Sequence, residues 1–333
     1  MPRKIGVAVV GLDHWYTAFP AMAEAGKRRD THLVAIADKS PRRLSEAAAK
    51  NPADQVTTDF DEVLANPQVD LVCSLVNTRD NVKVVRQALK AGKHVACVKP
   101  MAMTLRQVDS LIQLAEEQRR VLYSFDLLGR QRAEGELKSL IKRGGIGQPL
   151  TVYQTLAGGL PKAWPDSKHP GWWTDPARAP VGAWADHAIY TIDMLRFLLD
   201  AEVEAVHAEI ENRRYKKLGV EDYGVATLRF TNGVVAVVED TWASDQGGHW
   251  TKIIGTKGMI HMDPAAFSDP VVVVTARGRR TLKPRGFDIL RDAVALVRAG
   301  KAKPSPARES RKNLAVCFAA YRSAKVGRYI KPS

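Results

Sequence analysis

Asp186 and Tyr190 stand four positions apart in the apolar run Ala183–Leu199, so on a helix they share one face, which Asp193 continues. A tyrosine can exchange a proton with a substrate when a nearby ammonium lowers its pKa from about 10 toward the working range. The candidate ammonium is Lys99, which with Pro100 ends the run His94–Val98. A strand-end lysine is by default a surface residue. The polar face can equally be the solvated side opposite Ile189, Ile192, Leu195 and Leu199. His187, next to Asp186, either reaches the same cleft edge or is an ordinary hydrogen-bonded helix histidine. Just ahead of this helix, the loop Pro161–Pro180 holds Trp164, His169, Trp172 and Trp173. Flat rings of this kind suit stacking against sugar C–H faces. They serve as well to anchor a long loop or a contact between subunits.

A second group of residues surrounds Gly11. Strand Ile5–Val10 runs into Gly11-Leu12-Asp13-His14-Trp15-Tyr16, where a tight turn can bring backbone amides to a diphosphate. Of the G-x-G-x-x-G pattern only the first glycine is present; Asp13 adds negative charge and Tyr16 adds bulk. Thr17 is expected to cap a helix starting at Ala18, with Pro20 in its first turn. Asp38 ends the second strand, where an acid accepts from ribose hydroxyls and favours NAD over NADP. Lys39, Arg42 and Arg43 follow closely and could cradle the extra phosphate of NADP instead.

The elements that must position these residues fall into two regions. Strands are expected at Ile5–Val10, Leu33–Asp38, Leu71–Val76, His94–Val98 and Val121–Phe125, with helices around Ala18–Arg28, Pro41–Lys50, Val82–Lys90 and Leu105–Gln118. This alternation implies a doubly wound parallel sheet of Rossmann type over residues 1–125. From 126 to 333 the pattern becomes α+β with a mostly antiparallel open sheet. Helices are expected at Gly135–Lys142, Ala183–Leu199, Phe287–Ala299 and Arg308–Val326. Strands are expected at Leu150–Thr155, Val203–Ile210, Val225–Phe230, Val234–Trp242, Thr251–Ile254 and Val271–Thr275, with a hairpin at Thr231-Asn232-Gly233. A length of 333 residues, 45% hydrophobic and 26% charged, fits two soluble globular domains. The net charge of +14 is dispersed, in modest clusters such as Arg213–Lys217 and Arg277–Arg285, with no nucleic-acid-binding motif, so no nucleic acid partner is expected. No membrane span or signal peptide is evident. Cys73, Cys97 and Cys317 have no metal-like spacing, which points to buried thiols in a reducing cytoplasm and to no metal.

Taken together, several motifs resemble the Gfo/Idh/MocA family, which includes glucose–fructose oxidoreductase and inositol dehydrogenase. They are Ala91-Gly92-Lys93-His94-Val95 with Lys99-Pro100, Gly182 to Asp186 with Ile192-Asp193, Gly255-Thr256-Lys257-Gly258 and Ala320-Tyr321-Arg322-Ser323-Ala324. The family's E-K-P reads Val98-Lys99-Pro100 here. Its D-x-G-x-H reads Asp186-His187-Ala188-Ile189-Tyr190, with Tyr190 in place of the catalytic histidine. The resemblance implies a cytoplasmic NAD-dependent oxidoreductase (NADP possible) of a sugar, cyclitol or related compound, assembled as a homodimer or homotetramer. It implies catalytic roles for Lys99, Tyr190 and Asp186, with Trp172, Trp173 and His187 also contacting substrate. It places the cofactor against Gly11, Leu12, Asp13, His14, Asp38, Lys39, Arg43, Val76, Asn77, Thr78, Asn81 and Lys99. Two rivals are an NAD-recycling enzyme that cleaves glycosides or eliminates, and a non-catalytic sugar or nucleotide sensor. Val76-Asn77-Thr78-Arg79 and Leu127-Leu128 depart from the family's usual polar residues after the corresponding strands.

Overall fold

The computed structural model describes residues 3–132, 134–262, 271–282 and 286–333. The first two residues of the opening segment and the end of the basic cluster Arg277–Arg285 lie outside them.

Apolar runs of mostly four to seven residues, too short for helices, form the first sheet. Its strands are β1 (Ile5–Val10), β2 (Thr31–Ala37), β3 (Gln55–Thr57), β4 (Leu71–Ser74), β5 (His94–Cys97) and β6 (Leu122–Ser124). They lie parallel in the order β3-β2-β1-β4-β5-β6. Every residue of β1 and β4 is buried, as strands covered by helices on both faces must be. The covering helices are α1 (Trp15–Lys27), α2 (Pro41–Lys50), α3 (Phe60–Ala65), α4 (Thr78–Lys90) and α5 (Leu105–Glu117). Ser40, Asn77 and Thr104 cap α2, α4 and α5 through their side chains, which fixes where each turn opens. The order of connection reverses between β1 and β4, the crevice where such sheets bind ligands. The sequence pattern did not reveal β3 and α3; both are short, and β3 is half-exposed.

Helix α1 begins at Trp15 and not at Ala18. The His14 carbonyl accepts from both Thr17 N (3.0 Å) and Ala18 N (2.9 Å), while His14 N donates to Leu75 O at 2.9 Å. Thr17 therefore lies buried inside the helix and caps nothing.

After β6 a 3-10 segment, Phe125–Arg132, carries the chain into the second region, and α6 (Glu136–Lys142) follows. The second sheet comprises β7 (Pro149–Ala157), β8 (Val203–Glu211), β9 (Tyr223–Phe230), β10 (Val235–Thr241), β11 (Gly248–Gly255), β12 (Gly258–Met262), β13 (Val271–Thr275) and β14 (Gly278–Leu282). Its order is β14-β13-β12-β11-β7-β10-β9-β8, antiparallel throughout except for the β7–β10 pair. Strands β12 and β14 were not expected from the pattern, and the chain closes with α8 (Arg291–Arg298) and α9 (Ala307–Val326).

Between the two sheets runs α7 (Ala183–Leu199), with 14 of its 17 residues buried, so it has no solvated side. The 3-10 segment lies so close that a Cβ on Gly129 would stand 2.0 Å from the Tyr190 carbonyl. Asp193 is drawn out of the candidate face: it accepts from Arg130 N (2.9 Å), Arg130 Nη2 (2.5 Å) and Asn313 Nδ2 (3.1 Å).

The N-terminus of α7 has no side-chain cap of its own at Gly182. Glu221 supplies one, accepting from Trp184 N at 3.1 Å and from the Tyr321 hydroxyl at 2.6 Å. Burial outweighs these bonds and pushes the Glu221 carboxyl up to about 7. The folded protein thus holds this proton more tightly than the unfolded chain does. That contribution is complete below the ordinary value of 4.5 and is lost as pH rises through about 7. Glu221→Gln should match the wild type near pH 4 and exceed its stability at pH 8 by up to about 3 kcal/mol, read from urea unfolding at both pH values.

Candidate active site

The turn after β5 carries Lys99 into the crevice, preceding a cis peptide bond to Pro100. Lys99 is only 2% exposed, and its Nζ donates to both the main-chain carbonyl and Oδ1 of Asp186 on α7. Burial pushes the Asp186 carboxyl up, but the Lys99 ammonium, followed by His187, outweighs it and holds the group at about 2. His187 Nδ1 lies 3.6 Å from Asp186 Oδ2.

Lys99 Nζ also stands 5.0 Å from the centre of the Tyr190 ring. The phenol nevertheless holds its proton more tightly than usual, first through burial and then through the Asp186 charge. This departs from the sequence reading. The ammonium is in direct contact with Asp186, and burial, followed by the Asp186 charge, keeps Tyr190 a neutral phenol that still carries its proton.

These groups open onto a cavity of about 1050 Å³, which Lys99, Asp186, His187, Tyr190, His14 and Trp173 help to line. His14 was expected on the cofactor; it is a buried, neutral imidazole on this cavity, its pKa lowered to about 3 by burial and then by Lys99. Trp173 borders the cavity as expected of a substrate contact. Trp172 does not: it stacks behind Trp173 at 4.3 Å and donates through Nε1 to the Asp13 carbonyl at 3.2 Å.

The remaining cofactor candidates surround the β1–α1 turn and do not border the cavity. Gly11 adopts φ +84°, and a Cβ there would lie 2.3 Å from Val76 Cγ1. Asp38 is buried, with Oδ2 accepting from Leu12 N (2.7 Å) and Oδ1 from Ser40 N (2.8 Å), so its carboxylate ties two turns together. Lys39 points elsewhere, donating to Thr58 O at 2.9 Å over the Phe60 ring. Asn81 is fully buried, accepting from the Ser74 hydroxyl (2.7 Å) and donating to Met101 O (2.8 Å); Thr78 is fully buried beside it. Asn81 thereby ties the crevice wall together, whereas the buried Thr78 hydroxyl makes no hydrogen bond among the described residues.

Asp13 occupies the centre of the turn. Its carboxylate accepts from Arg43 Nη1 (3.1 Å), Arg178 Nη2 (3.2 Å), Asn77 N (3.0 Å) and Asn77 Nδ2 (3.1 Å). A dinucleotide would meet suitable groups at its nicotinamide end, around Lys99. At its diphosphate end it meets a carboxylate already holding the donors, which the diphosphate would have to displace. Arg178 had no signal in the sequence, because the loop that carries it reaches Asp13 only in the folded chain. Asp240 and Gln154, on the inner face of the second sheet, were also missed. Both are buried, and their side chains make no hydrogen bond among the described residues.

Residues 5–125 match the oxidoreductase family of NAD-binding Rossmann fold, and residues 135–261 match the GFO/IDH/MocA C-terminal domain. The chain belongs to the Gfo/Idh/MocA oxidoreductase family. Its first domain is that family's NAD-binding Rossmann fold, and the second sheet is its C-terminal domain. The chain is 27% identical to the myo-inositol 2-dehydrogenase of Thermotoga maritima, with 91% of each covered. It is 26% identical to the D-xylose 1-dehydrogenase (NADP(+)) of Haloarcula marismortui over 80% of this chain and 74% of that one. Levoglucosan dehydrogenase, solved with NADH and L-sorbose, superposes with a TM-score of 0.84 over 99% of both chains at 21% identity. No helix among the described residues is long and apolar enough to cross a membrane.

The Lys99–Asp186 pair predicts a large stability effect. Lys99→Met leaves a buried carboxylate unpaired and should lose about 3–5 kcal/mol in urea unfolding, most of which Lys99→Met/Asp186→Leu should restore. Equal stability of the single variant and the wild type would show that the pair does not hold α7 against β5.

Proposed function

We propose that this chain is an NAD(P)-dependent oxidoreductase acting on a hydroxyl or carbonyl group of a sugar, cyclitol or related polyol. The observation that carries this reading is the phenol of Tyr190 beside the buried Lys99–Asp186 pair on one cavity. A cavity of about 1050 Å³ suits a sugar-sized molecule next to part of a larger ligand. Trp173 offers a flat apolar wall, and Asp186 and His187 offer polar edges for hydroxyl groups. The named relatives act on inositol and xylose, and that substrate class is extended to this chain.

When bound, the cofactor supplies the hydride donor or acceptor. The chain's own task is to hold the reacting oxygen and move its proton. Lys99 and Asp186 orient that oxygen, and the neutral Tyr190 gives its hydroxyl proton to a carbonyl oxygen as the carbon gains hydride. In the reverse direction the proton of the substrate hydroxyl returns to a tyrosinate, which must first form. The outer face of the second sheet exposes Tyr153 and Trp250, and we assign to it the pairing of copies in a cytoplasmic homodimer or homotetramer.

A panel of aldoses, inositols and their ketones, assayed with NAD, NADP and their reduced forms, tests the reading. Reduction should be nearly flat between about pH 6 and 9, while oxidation should climb with pH as the phenol ionises. Tyr190→Phe should lower kcat/KM at least about 100-fold with its fold intact by circular dichroism. Turnover of the whole panel at background levels by the wild type would reject the assignment.

A further inference from the structure

In dinucleotide-binding turns the second glycine lets the backbone approach the diphosphate closely. This chain has Asp13 at that position, directly at the crevice between β1 and β4. Its carboxylate gathers two guanidinium groups, the backbone N–H at the cap of α4 and a side-chain amide, all within 3.0–3.2 Å. Such a set of converging positive and N–H donors is what binds a phosphate group. Here the chain's own anion fills it.

Asp13 is not serving as an ordinary cap for α1. The cap position is His14, without a side-chain bond, and the Asp13 carboxylate is directed at Asn77, Arg43 and Arg178 instead. The tryptophan loop secures this arrangement from the second domain. Trp172 Nε1 donates to the Asp13 carbonyl, Trp15 Nε1 to Lys162 O at 2.9 Å, and Lys162 N to the Tyr16 hydroxyl at 2.9 Å. On α2, Trp164 Nε1 donates to Glu46 at 2.7 Å and Arg42 pairs with Asp166 at 2.7 Å.

We propose that Asp13 is a built-in competitor for the cofactor diphosphate and thereby sets the affinity of this chain for its dinucleotide. Binding requires the carboxylate to release Arg43 and Arg178, which then face the diphosphate. The inference rests on the reading of the chain as an NAD(P)-dependent oxidoreductase.

The test is titration of NADH, adenosine diphosphate and adenosine into the wild type, Asp13→Gly and Asp13→Asn at one ionic strength. The asparagine variant keeps the shape of the side chain and guards against a folding defect in the glycine variant. Both should bind NADH and adenosine diphosphate at least about tenfold more tightly than the wild type, with no gain for adenosine. Equal affinities for NADH in all three proteins would overturn the proposal, and so would a matching gain for adenosine, since that reports general loosening. If those equal affinities accompany turnover of a polyol, the functional reading stands and the competitor role fails. If the variants gain affinity but no sugar or polyol reacts, the competitor role stands and the functional reading fails. If none of the proteins binds NADH or adenosine diphosphate, both fail.

Discussion

One buried ion pair holds both the architecture and the chemistry together. Lys99 leaves the first sheet at the end of β5, and Asp186 belongs to the first turn of α7, the helix on which the second sheet packs. Neither charge tolerates burial alone, so each constrains the other: a lone carboxylate or ammonium at that depth would lose several kcal/mol. The pair therefore joins the end of β5 to the first turn of α7, alongside cross-domain contacts such as Arg308–Glu116 and Arg311–Asp109, and by the same contact holds polar groups of the cavity in place. Burial, and then the Asp186 charge, keeps Tyr190 neutral beside that lysine.

A second electrostatic knot lies across the crevice at Asp13. There the logic is opposite. At Lys99–Asp186 the two charges balance beside the cavity, whereas at Asp13 one carboxylate faces two arginines and a helix cap. Arg43 is contributed by α2 of the first domain and Arg178 by the loop of the second, so Asp13 also ties the domains together. The Asp13 side chain is 21% exposed, unlike Lys99 at 3%, so this contact is cheaper to open. The crevice thus has one end held by a deeply buried pair beside Tyr190, and another whose ion pairs are partly exposed.

Much of the fold was legible in the chain itself. Apolar runs punctuated by Ser40, Thr104 and Gly92 mark strands and helix ends through local stereochemistry, which needs no tertiary context, whereas α4, expected from Val82, opens at Thr78 behind an Asn77 cap that the pattern did not reveal. Short or half-exposed elements such as β3, α3 and β14 were not legible, because little burial is required of them and their sequences show little periodicity. The start of α1 was misplaced for a related reason. Thr17 looked like a cap, but the His14 backbone, held by Leu75 just beyond β4, opened the helix earlier.

The sequence by itself determined which residues are available for chemistry: Lys99 at a strand end, Asp186 and Tyr190 one helical turn apart, and a first-glycine turn with a carboxylate in it. Spacing along one helix or one turn is a local property, and local geometry is set by bonded neighbours. Only the tertiary structure decided how those groups are charged and occupied. Burial raised the Tyr190 pKa, Asp186 paired with Lys99, Asp193 turned to Arg130, and Trp172 and Arg178 closed on Asp13. Each of these depends on desolvation and on charges far apart in the chain, and the Coulomb energy between such groups exists only once folding has brought them within a few ångströms.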